Sequence, residues 1–564
     1  MAKIYSLSIS NFRGINKFKQ TFQFNDFVCI IGRGDSGKTS ILDAIDLVLS
    51  SNWKVTFFDN DFHNSNIEKP IEIIATLYDL PESILVENKF GLYLRGIDKS
   101  INRINDQIDQ NDIPALTIKL IVDKNLEPIW YVTNDREQED LEIKSRDRKK
   151  LNTFYISDYI DRHFSWSQGS PLHSILKAED SQINASGLLL KTIREAKEKI
   201  DNNNFTELDG LVTKLQIQAS KFGLDLSDIN TTIDFRDIAF KEGKINLHED
   251  SVPLRLKGKG SKRLLSIAIQ LELFQLNNGG ILLIDEIEQG LEPDRVQNLV
   301  RVLKNDTINQ VFVTTHSRDV IVELNATDIF KLSKNSNLLY NFELSAQGQL
   351  RGNPEAFFAN KIILCEGATE VGIVRGINKY HYENNNFIFS TKGVRYADCG
   401  GDSKIMKYLM AFLKKEYDLL IFCDSDNDNN SSVKKLKEAA SKHSIPLIEC
   451  ESGNSIENQI FNDLNYPSVK RILELDLLES AEALNESIKS KYKREYNDDW
   501  DDDILENDSK KIRNILGKVS NKNSWFKRVD LSESVGQICM NSIDQYDNSH
   551  LNKMFTDLNN WVIE

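Results

Sequence analysis

The segment GRGDSGKT at 32–39 constrains the fold of this chain more than any other feature. It matches the phosphate-binding pattern G-x-x-x-x-G-K-[ST]. The apolar run FVCIIG at 27–32 precedes it, as a buried parallel strand would, and SILDAIDLVLS at 40–50 follows with apolar residues at helical spacing. A strand, a glycine-rich loop and a helix in this order predict an α/β domain that binds the phosphates of a nucleotide.

Each residue type in this loop suits a phosphate group. Glycines let the backbone amides turn inward, Lys38 brings a positive charge to the β- and γ-phosphates, and Thr39 offers a hydroxyl to Mg²⁺. The helix that begins here adds its dipole. The sequence therefore predicts that ATP binds with Mg²⁺ at this loop. The predicted contacts are Gly32, Gly34, Asp35, Ser36, Gly37, Lys38, Thr39 and Ser40.

Three later segments fit the same nucleotide site. ILLIDE at 281–286 is an apolar strand that ends in two acids. Asp285 would hold the Mg²⁺ through water, and Glu286 would orient the attacking water. KGKGSKR at 257–263 is a glycine-rich loop that opens a helix just upstream of that strand. His316, in VTTHS, ends another apolar strand, and this position favours a γ-phosphate contact over a purely structural role.

This order of segments resembles the ABC-type ATPase family. The opening NFRGI and the long interval between the phosphate loop and the KGKGSKR signature are similar to the SMC/RecF branch. In that family two heads close around ATP, and each signature loop contacts the nucleotide of its partner. The resemblance implies a homodimer or a higher oligomer, with the same contact here through Gly258, Gly260, Ser261 and Lys262. KGKGSKR is more basic than the common LSGGQ, so its support of ATP hydrolysis stays open.

A second group of acids follows strand-like segments in the C-terminal part. EGATE at 366–370 follows IILC and places Glu366 and Glu370 one helical turn apart. Asp424 and Asp426 follow DLLIF, and their spacing of two puts both on one side of an extended segment. Carboxylates suit Mg²⁺ or Mn²⁺. Two such ions about 3.5–4 Å apart would flank a scissile phosphate, one activating water and one stabilising the leaving oxygen.

The E-G-x-T-E strand end followed by D-x-D resembles the Toprim domain of topoisomerases, primases and certain nucleases. Together with an N-terminal ABC-type ATPase, it is similar to the OLD (overcoming lysogenisation defect) family of ATP-dependent endonucleases. The resemblance implies a catalytic role for Glu366 and for a late lysine, Lys527, that would stabilise the charged transition state. It also places the GGDSK turn at 400–404 near the site. The implied metal ligands are Glu366, Glu370, Asp424, Asp426 and Glu457.

The length of 564 residues predicts more than one domain. We place an ATPase domain at 1–350 and a Toprim domain with a C-terminal helical extension at 351–564. The boundary falls in the polar, turn-rich segment 334–354. Helical spacing of apolar residues predicts an insert at about 165–235, either a pair of helices that caps its own domain or a dimerisation arm. The predicted fold class is α/β: an ABC/SMC-like ATPase head with a helical insert, then a Rossmann-like Toprim domain.

A net charge of −15 argues against a general basic coat, so any DNA-binding face must be local. Two basic segments are candidates, KSKYKREY at 489–496 and KKIRNILGKVSNK at 510–522, with a solvated helix face as the alternative. No apolar run reaches the roughly 18 residues of a membrane span, and no signal-peptide pattern is present, so we expect a cytoplasmic protein without a membrane partner. The six cysteines form no CxxC pair, which indicates buried reduced thiols.

The two sites together predict an ATP-regulated, metal-dependent endonuclease that cuts DNA. The family resemblance implies anti-phage defence, as in Gabija-like pairs and some retrons. The expected partners are DNA, a second copy of the chain, and a defence-locus protein, which for a retron effector would be a reverse transcriptase with its RNA–DNA product. The main alternative is a RecF/SMC-like repair ATPase that binds DNA without cutting it, and another is a purely regulatory ATP switch. The sign of ATP control stays open.

Overall fold

A computed structural model describes most of the chain. The described residues are 2–156, 161–164, 170–178, 191–192, 194–195, 212–213, 247–249, 252–306, 309–333, 337–385, 387–426, 430–478, 481–497, 500 and 502–564. Most of the insert predicted at about 165–235, including its proposed dimerisation arm, lies outside the described residues.

Strands occur throughout the N-terminal part and in the first part of the C-terminal region. In chain order they are β1 (Lys3–Phe12), β2 (Ile15–Thr21), β3 (Phe27–Ile31), β4 (Ile71–Tyr78), β5 (Arg95–Asp98), β6 (Arg103–Asn105), β7 (Ile113–Val122), β8 (Pro128–Thr133), β9 (Leu141–Glu142), β10 (Thr153–Ile156), β11 (His248–Glu249), β12 (Val252–Pro253), β13 (Ile281–Ile284), β14 (Gln310–Thr314), β15 (Ile329–Leu332), β16 (Leu339–Asn341), β17 (Lys361–Cys365), β18 (Val394–Asp398), β19 (Asp418–Cys423) and β20 (Leu447–Glu449).

Helices cover the sheets and form the C-terminal extension. In chain order the α-helices of the described residues are α1 (Lys38–Leu49), α2 (Glu87–Phe90), α3 (Ser145–Arg148), α4 (Pro171–Ala178), α5 (Lys259–Leu276), α6 (Pro293–Asn305), α7 (Arg318–Ile321), α8 (Gln347–Gly352), α9 (Ala368–Asn385), α10 (Asp402–Phe412), α11 (Ser431–Lys442), α12 (Ile456–Asp463), α13 (Tyr466–Leu473), α14 (Ala481–Tyr496), α15 (Lys510–Asn523), α16 (Val529–Asn541) and α17 (His550–Ile563).

The first sheet has eight strands and is antiparallel. Its order is β2-β1-β4-β7-β5-β6, with β8 beside β7 and β9 beside β8. In β1, Leu7 and Ile9 are buried while Ser6 and Ser8 are half-buried. This alternation is typical of a strand with one face on the core.

The second sheet has six strands in the order β10-β13-β14-β3-β15-β16, and β16 is its antiparallel member. Every residue of β3 and β13 is buried. Continuous apolar runs of this kind belong to parallel strands that are covered on both faces. The phosphate loop follows β3 and the two acids follow β13, so both lie at the carboxyl edge of one sheet, where α/β proteins bind ligands.

The third sheet has four parallel strands in the order β18-β17-β19-β20. EGATE follows β17, GGDSK follows β18 and CDSD ends β19, so these segments meet at one carboxyl edge. The α/β fold prediction is confirmed. The segment 334–354 is less irregular than its composition suggests, because it contains β16 and α8. The domain boundary near 350 remains a prediction.

A chain of aromatic rings joins the six-stranded and four-stranded sheets. The ring centroids of Phe342 and Phe357 lie 4.8 Å apart, those of Phe357 and Phe412 5.0 Å, and those of Phe412 and Tyr417 5.0 Å. Phe342 follows β16, whereas Tyr417 precedes β19. The two sheets therefore share one hydrophobic core.

Lys331, in β15, makes the polar contact at this junction. Its Nζ donates to the carbonyl oxygens of Lys415 (3.1 Å) and Glu416 (2.9 Å) and lies 3.4 Å from the centroid of the Tyr417 ring. Burial lowers the pKa of Lys331 to about 8. A buried ammonium group is costly unless it is paired, and here two carbonyls and a ring face compensate it. This contact fixes the two sheets relative to each other.

Arg13, in the NFRGI turn, fastens the helix that follows the phosphate loop. Its guanidinium pairs with Asp43 of α1 and with Asp61, whose carboxylate lies 3.0 Å away. One turn after Asp43, burial raises the pKa of Asp46 to about 6, and the charge of Asp43 raises it further. The NFRGI turn thus holds α1 in place through Arg13. The same helix carries the poorly solvated carboxylate of Asp46.

We predict that Phe357→Ala strongly destabilises the protein. The side chain is fully buried at the centre of the ring chain, and such truncations cost roughly 3–5 kcal/mol. Urea unfolding followed by tryptophan fluorescence measures the shift in midpoint. Phe58→Ala is the control, because Phe58 is 64% exposed and its loss should change stability by less than about 0.5 kcal/mol. Equal midpoints for the two variants would show that the junction does not stabilise the fold.

We predict that Asp46→Asn stabilises the protein in a pH-dependent way. Because the pKa of Asp46 is about 6 in the folded chain and ordinarily 3.8, the folded state binds the proton more tightly. The free energy of unfolding of the wild type therefore falls as the pH rises from about 4 to about 6. Asparagine does not ionise, so the melting temperature should rise by a few degrees at pH 7.5 and by less at pH 4.5.

The control for this prediction is Asp59→Asn, which replaces an exposed carboxylate in the same part of the chain. Differential scanning fluorimetry at both pH values should give unchanged melting temperatures for the control. A gain for Asp46→Asn that is the same at pH 4.5 and pH 7.5 would contradict the electrostatic explanation.

Candidate functional site

The phosphate loop folds tightly around its lysine. Gly37, at the start of α1, has φ +99°, a left-handed value that favours glycine. The Nζ of Lys38 donates to the carbonyl oxygens of Gly32 (3.1 Å) and Arg33 (2.9 Å). Burial lowers the pKa of Lys38, and the nearby Asp285 and Glu286 partly offset this effect. The ammonium group is therefore held at the loop and faces the acidic strand end.

The hydroxyl of Thr39, the residue after Lys38, forms a hydrogen bond with Asp285 at the end of β13. The Oγ1 of Thr39 donates to Asp285 Oδ2 at 2.9 Å, although the two residues are far apart in sequence. The Oγ1 of Thr314 donates to the other oxygen of Asp285 and accepts from the backbone N–H of Glu286 at 2.8 Å. Glu286 itself is exposed at the strand end with φ +45°. The fold thus unites the hydroxyl and the carboxylate that the sequence assigns to Mg²⁺.

His316 lies exposed just beyond β14, beside this pair. Burial and the charge of Lys38 lower the pKa of His316, which favours the neutral imidazole near pH 7. Glu288 holds the loop by accepting from Thr315 Oγ1 and from the backbone N–H of His316, both at 2.7 Å. Sequence reasoning missed Glu288. Its only signal is its place two residues after Glu286.

The signature loop is packed against the segment that follows the two acids. Gly258 is the N-cap of α5 and is exposed, as is Ser261, while Lys262 is half-buried. Gly260 is buried, and a β-carbon there would lie 2.1 Å from the carbonyl oxygen of Gly290. Any larger residue at 260 would push the two loops apart. The predicted contact of this loop with a second copy remains a prediction.

Arg263 ties the signature helix to the acidic strand end. Its guanidinium donates to the carbonyl oxygens of Asp285 and Glu286, and to Gln289 Oε1 at 2.7 Å. The side chain is buried. Sequence reasoning treated this arginine only as part of a basic loop, since nothing local reveals a contact made over twenty residues later. These hydrogen bonds hold α5 and the strand end with Asp285 and Glu286 in a fixed position relative to each other.

The second site is held together by backbone amides. Glu366 follows β17, and its Oε2 accepts from the N–H of Asp424 at 3.1 Å. The Oδ1 of Asp424 accepts from the N–H of Ile456 at 2.7 Å. Glu370, in the first turn of α9, accepts from the N–H of Gly367 at 2.8 Å. These bonds bring the predicted acids of β17, α9 and β19 to one strand-end cluster.

The carboxylates of this cluster are poorly solvated and repel one another. Burial is the largest cause that raises the pKa of Glu366, Glu370, Asp424 and Glu457. The charges of Glu366 and Glu457 raise the pKa values of both Glu370 and Asp424 further. An uncompensated set of acids is costly unless a cation joins it. The cluster is therefore a functional-site candidate on electrostatic grounds.

Lys527 approaches the same cluster from the C-terminal extension. Burial raises the pKa of Glu457, at the start of α12, and the positive charge of Lys527 partly offsets that rise. Next to it in the chain, Phe526 stacks on Phe461 with ring centroids 5.9 Å apart, one turn after Glu457. This packing positions the exposed Lys527 beside the acids. Asp426, also predicted, is exposed, and its charge raises the pKa values of Glu366 and Glu457.

Asp402 also belongs to this neighbourhood. It begins α10, directly after the Gly-Gly turn, and its negative charge raises the pKa of Glu366. The N–H of Gly401 donates to the carbonyl oxygen of Glu366 at 2.7 Å, and Asn430 donates to Asp402 Oδ2 at 3.0 Å. The sequence offered a signal, because Asp402 lies in the GGDSK turn, but the residue itself was not predicted.

The donor chemistry of the cluster fits a hard divalent cation. Its predicted ligands are all carboxylates, which Mg²⁺ and Mn²⁺ prefer. Within the part of the chain that the structure describes, no three histidine, cysteine, aspartate or glutamate side chains are arranged to enclose one ion as they stand. Coordination would therefore draw the mutually repelling carboxylates closer together.

Basic residues in the two segments named as candidates for DNA contact form ion pairs within the chain. In α14 and α15, Glu495 pairs with Lys491 (3.5 Å) and with Lys518. Tyr492 is buried and its ring lies 5.6 Å from that of Trp500. The tyrosines that interleave with the basic residues at 489–496 therefore contribute to packing, because helical spacing turns Tyr492 toward the core.

Two further sequence predictions concern the chain as a whole. All six cysteines are buried and free of disulfides, as expected. Among the described residues, no helix has both the length and the apolar character needed to cross a membrane.

Two protein-family models match the chain. The model described as "AAA domain, putative AbiEii toxin, Type IV TA system" matches residues 27–323, which is more than half of the chain. The model described as "Overcoming lysogenization defect protein-like, TOPRIM domain" matches residues 357–426. The first match contains the phosphate loop, the signature and the acid pair, and the second contains the acids from Glu366 to Asp426. No curated protein matches the chain.

Solved structures with some similarity to this chain include Smc head domains and the protein RecF. A Smc head bound to the C-winged helix domain of ScpA is 16% identical, with 61% of this chain and 99% of that chain covered and a TM-score of 0.35. A Smc head with an extended coiled coil, from Pyrococcus furiosus, is 14% identical, with 62% and 98% covered and a TM-score of 0.33. The recombination mediator protein RecF is 14% identical, with 61% and 98% covered and a TM-score of 0.32.

The family matches follow the order of the two sites along the chain. The phosphate loop and its acid pair fall within the ATPase match, and most of the carboxylate cluster falls within the Toprim match. The chain belongs to the AAA-domain family and, because an OLD-like Toprim domain follows its ATPase domain, it is an ATPase–Toprim protein of the OLD family.

Proposed function

We propose that this protein is an ATP-regulated endonuclease that hydrolyses phosphodiester bonds of DNA at the Toprim carboxylate cluster. The observation that carries the proposal is the cluster itself. Glu366, Glu370, Asp424 and Glu457 converge at parallel strand ends, and burial makes their negative charge costly. A protein that only bound DNA would gain nothing from such a set of acids, whereas a metal-dependent nuclease requires one.

The residues of the cluster would divide the work. Glu366, Glu370, Asp424, Asp426 and Glu457 would hold two Mg²⁺ or Mn²⁺ ions. When bound, these ions supply an activated water and neutralise charge on the scissile phosphate. The backbone N–H of Asp424 holds the carboxylate of Glu366 in place. Lys527 would place a positive charge where negative charge develops on the phosphate, since it already lies near Glu457.

The ATPase domain would control this chemistry. Lys38 would leave the carbonyls of its own loop for the β- and γ-phosphates, and Thr39 with Asp285 would hold Mg²⁺. Glu286 would orient the attacking water, and a neutral His316 would donate to the γ-phosphate. A second copy of the chain would complete the site through its Gly258, Ser261 and Lys262.

The wider biology follows from family resemblance. We propose a cytoplasmic role in anti-phage defence, with another defence-locus protein as partner, such as a reverse transcriptase with its RNA–DNA product. We propose that the ATPase domain spans residues 1–350 and that the Toprim domain with its C-terminal extension spans residues 351–564. DNA would reach the cluster over local basic surface, because the net charge of −15 disfavours general binding.

We predict that Asp424→Asn lowers metal-dependent plasmid cleavage roughly 10²-fold or more, by removing a metal ligand that no neighbour replaces. The same change should leave the fold intact and raise the melting temperature in EDTA, because it relieves repulsion among buried acids. Added Mg²⁺ or Mn²⁺ should raise the melting temperature of the wild type and raise that of the variant far less.

The matched control is Glu438→Gln, which neutralises an exposed acid on α11. It should cut and melt like the wild type. Undiminished cleavage by Asp424→Asn would refute the assignment of the nuclease site. If the wild type hydrolysed ATP but cut no DNA with either metal or with proteins of its own locus, the non-cutting repair ATPase would become the better description.

We predict that Lys38→Ala abolishes ATP hydrolysis and weakens ATP binding at least tenfold. Removal of the buried ammonium leaves the phosphate charge without its partner. Cleavage by this variant should no longer respond to ATP, and its level relative to the wild type gives the sign of ATP control. Nucleotide titration and phosphate release measure the two effects. Lys69→Ala, at an exposed lysine, is the control, and an equal ATP response in both variants would argue against the site.

A further inference from the structure

A cavity of about 470 Å³ lies where the ATPase domain meets the Toprim domain. Its wall includes Gly32 and Arg33 at the start of the phosphate loop and Lys331 in β15 of the six-stranded sheet. Lys361 and Lys392 line it from the Toprim side. Four cationic residues from the two domains thus line one cavity, and none belongs to the carboxylate cluster.

Backbone carbonyl oxygens hold the two Toprim lysines in this wall. Lys361 Nζ donates to the carbonyl oxygen of Trp561 at 2.9 Å, and Lys392 Nζ donates to that of Ile563 at 2.8 Å. A carbonyl oxygen orients an ammonium group without neutralising it, and each ammonium group has three N–H donors. Both lysines are therefore held in position at the cavity with donors to spare.

Arg33 supplies a third cation from the phosphate loop. Within the described residues its guanidinium forms no hydrogen bond or ion pair. The guanidinium lies close to Gly393 of the Toprim domain. A β-carbon built on Gly393 would lie 3.4 Å from Arg33 Nη1, and it would lie equally far from the side-chain amide of Asn360. The guanidinium of an arginine can form two parallel hydrogen bonds to a phosphate group.

The acids of the wall offset only part of this charge. The carboxylate of Glu416 accepts from Ser333 and, at 2.6 Å, from Tyr340, and it lies beside the buried Lys331. Asp418 is exposed where β19 begins. Arg33, Lys361 and Lys392 thus leave the cavity with an excess of positive charge.

We propose that this junction cavity binds a phosphate ester of mononucleotide size, in addition to the nucleotide of the phosphate loop. Its volume lies in the range of roughly 300–1,000 Å³ that is typical of small-molecule sites. Arg33, Lys361 and Lys392 would bind the phosphate, while the half-buried Phe358 of the wall offers apolar surface to the rest of the ligand. The proposal concerns binding alone and does not depend on nuclease activity.

Isothermal titration of the full chain tests this site, with AMP, inorganic phosphate and adenosine as probes. Lys38→Ala is the background, because it removes the main phosphate contact of the other site. We expect AMP to bind this background and adenosine not to bind it, with inorganic phosphate at least tenfold weaker than AMP. Adding Lys392→Gln or Arg33→Gln should weaken AMP binding about tenfold, the effect of losing a charge-assisted hydrogen bond.

Lys435→Gln, at an exposed lysine on α11, is the matched control and should leave AMP binding unchanged. Lys392→Gln carries the test if the loop variant Arg33→Gln fails to fold, since Lys392 is exposed. Failure of AMP to bind Lys38→Ala would overturn the proposal, as would equal affinities for Lys392→Gln and Lys435→Gln. Equal affinities for phosphate and AMP would overturn the assignment to an ester.

Discussion

The contact between Lys331 and the loop before β19 sets the geometry on which both sites depend. A buried ammonium group lies between two carbonyl oxygens and the face of Tyr417, so the contact tolerates little displacement. Lys331 belongs to β15, which pairs with β3, the strand that delivers the phosphate loop. Tyr417 immediately precedes β19, which delivers Asp424. One junction thus orients the sheet that binds the nucleotide relative to the sheet that carries the acids.

Both sites lie at the carboxyl ends of parallel strands, where loops from neighbouring strands meet. They differ in the balance of positive and negative charge. At the phosphate loop Lys38 faces Asp285 and Glu286, so charges of both signs meet before any ligand arrives. At the Toprim cluster the acids mainly face one another, with Lys527 as the nearby cation. Mutual repulsion of these acids lowers the stability of the folded chain, and the divalent cations proposed for this site would raise that stability on binding.

The sequence predicted the strands and loops whose signals are local. It did not reveal the contacts that the fold creates between segments far apart in the chain. Continuous apolar runs before Gly32, Asp285, Glu366 and Asp424 placed the strands, because buried parallel strands carry no alternation. The bonds of Arg263 to the acid strand link segments over twenty residues apart, and an arginine in a glycine-rich loop gives no sign of them. The packing of Tyr492 could not be predicted for a related reason, since only the phase of the helix decides that this side chain faces inward.

Arg33 shows how a phosphate loop can belong to two sites at once. Its carbonyl oxygen accepts from Lys38, while its guanidinium lies at the Toprim side of the junction cavity. If the ammonium group of Lys38 moved to a nucleotide phosphate, the carbonyl oxygen of Arg33 would lose this hydrogen bond. The position of Arg33 would then be less restricted. Binding equilibria that share a residue are linked, and linkage is reciprocal. A phosphate ester in the cavity would therefore alter the affinity of the loop for ATP by the same factor as ATP alters the affinity of the cavity.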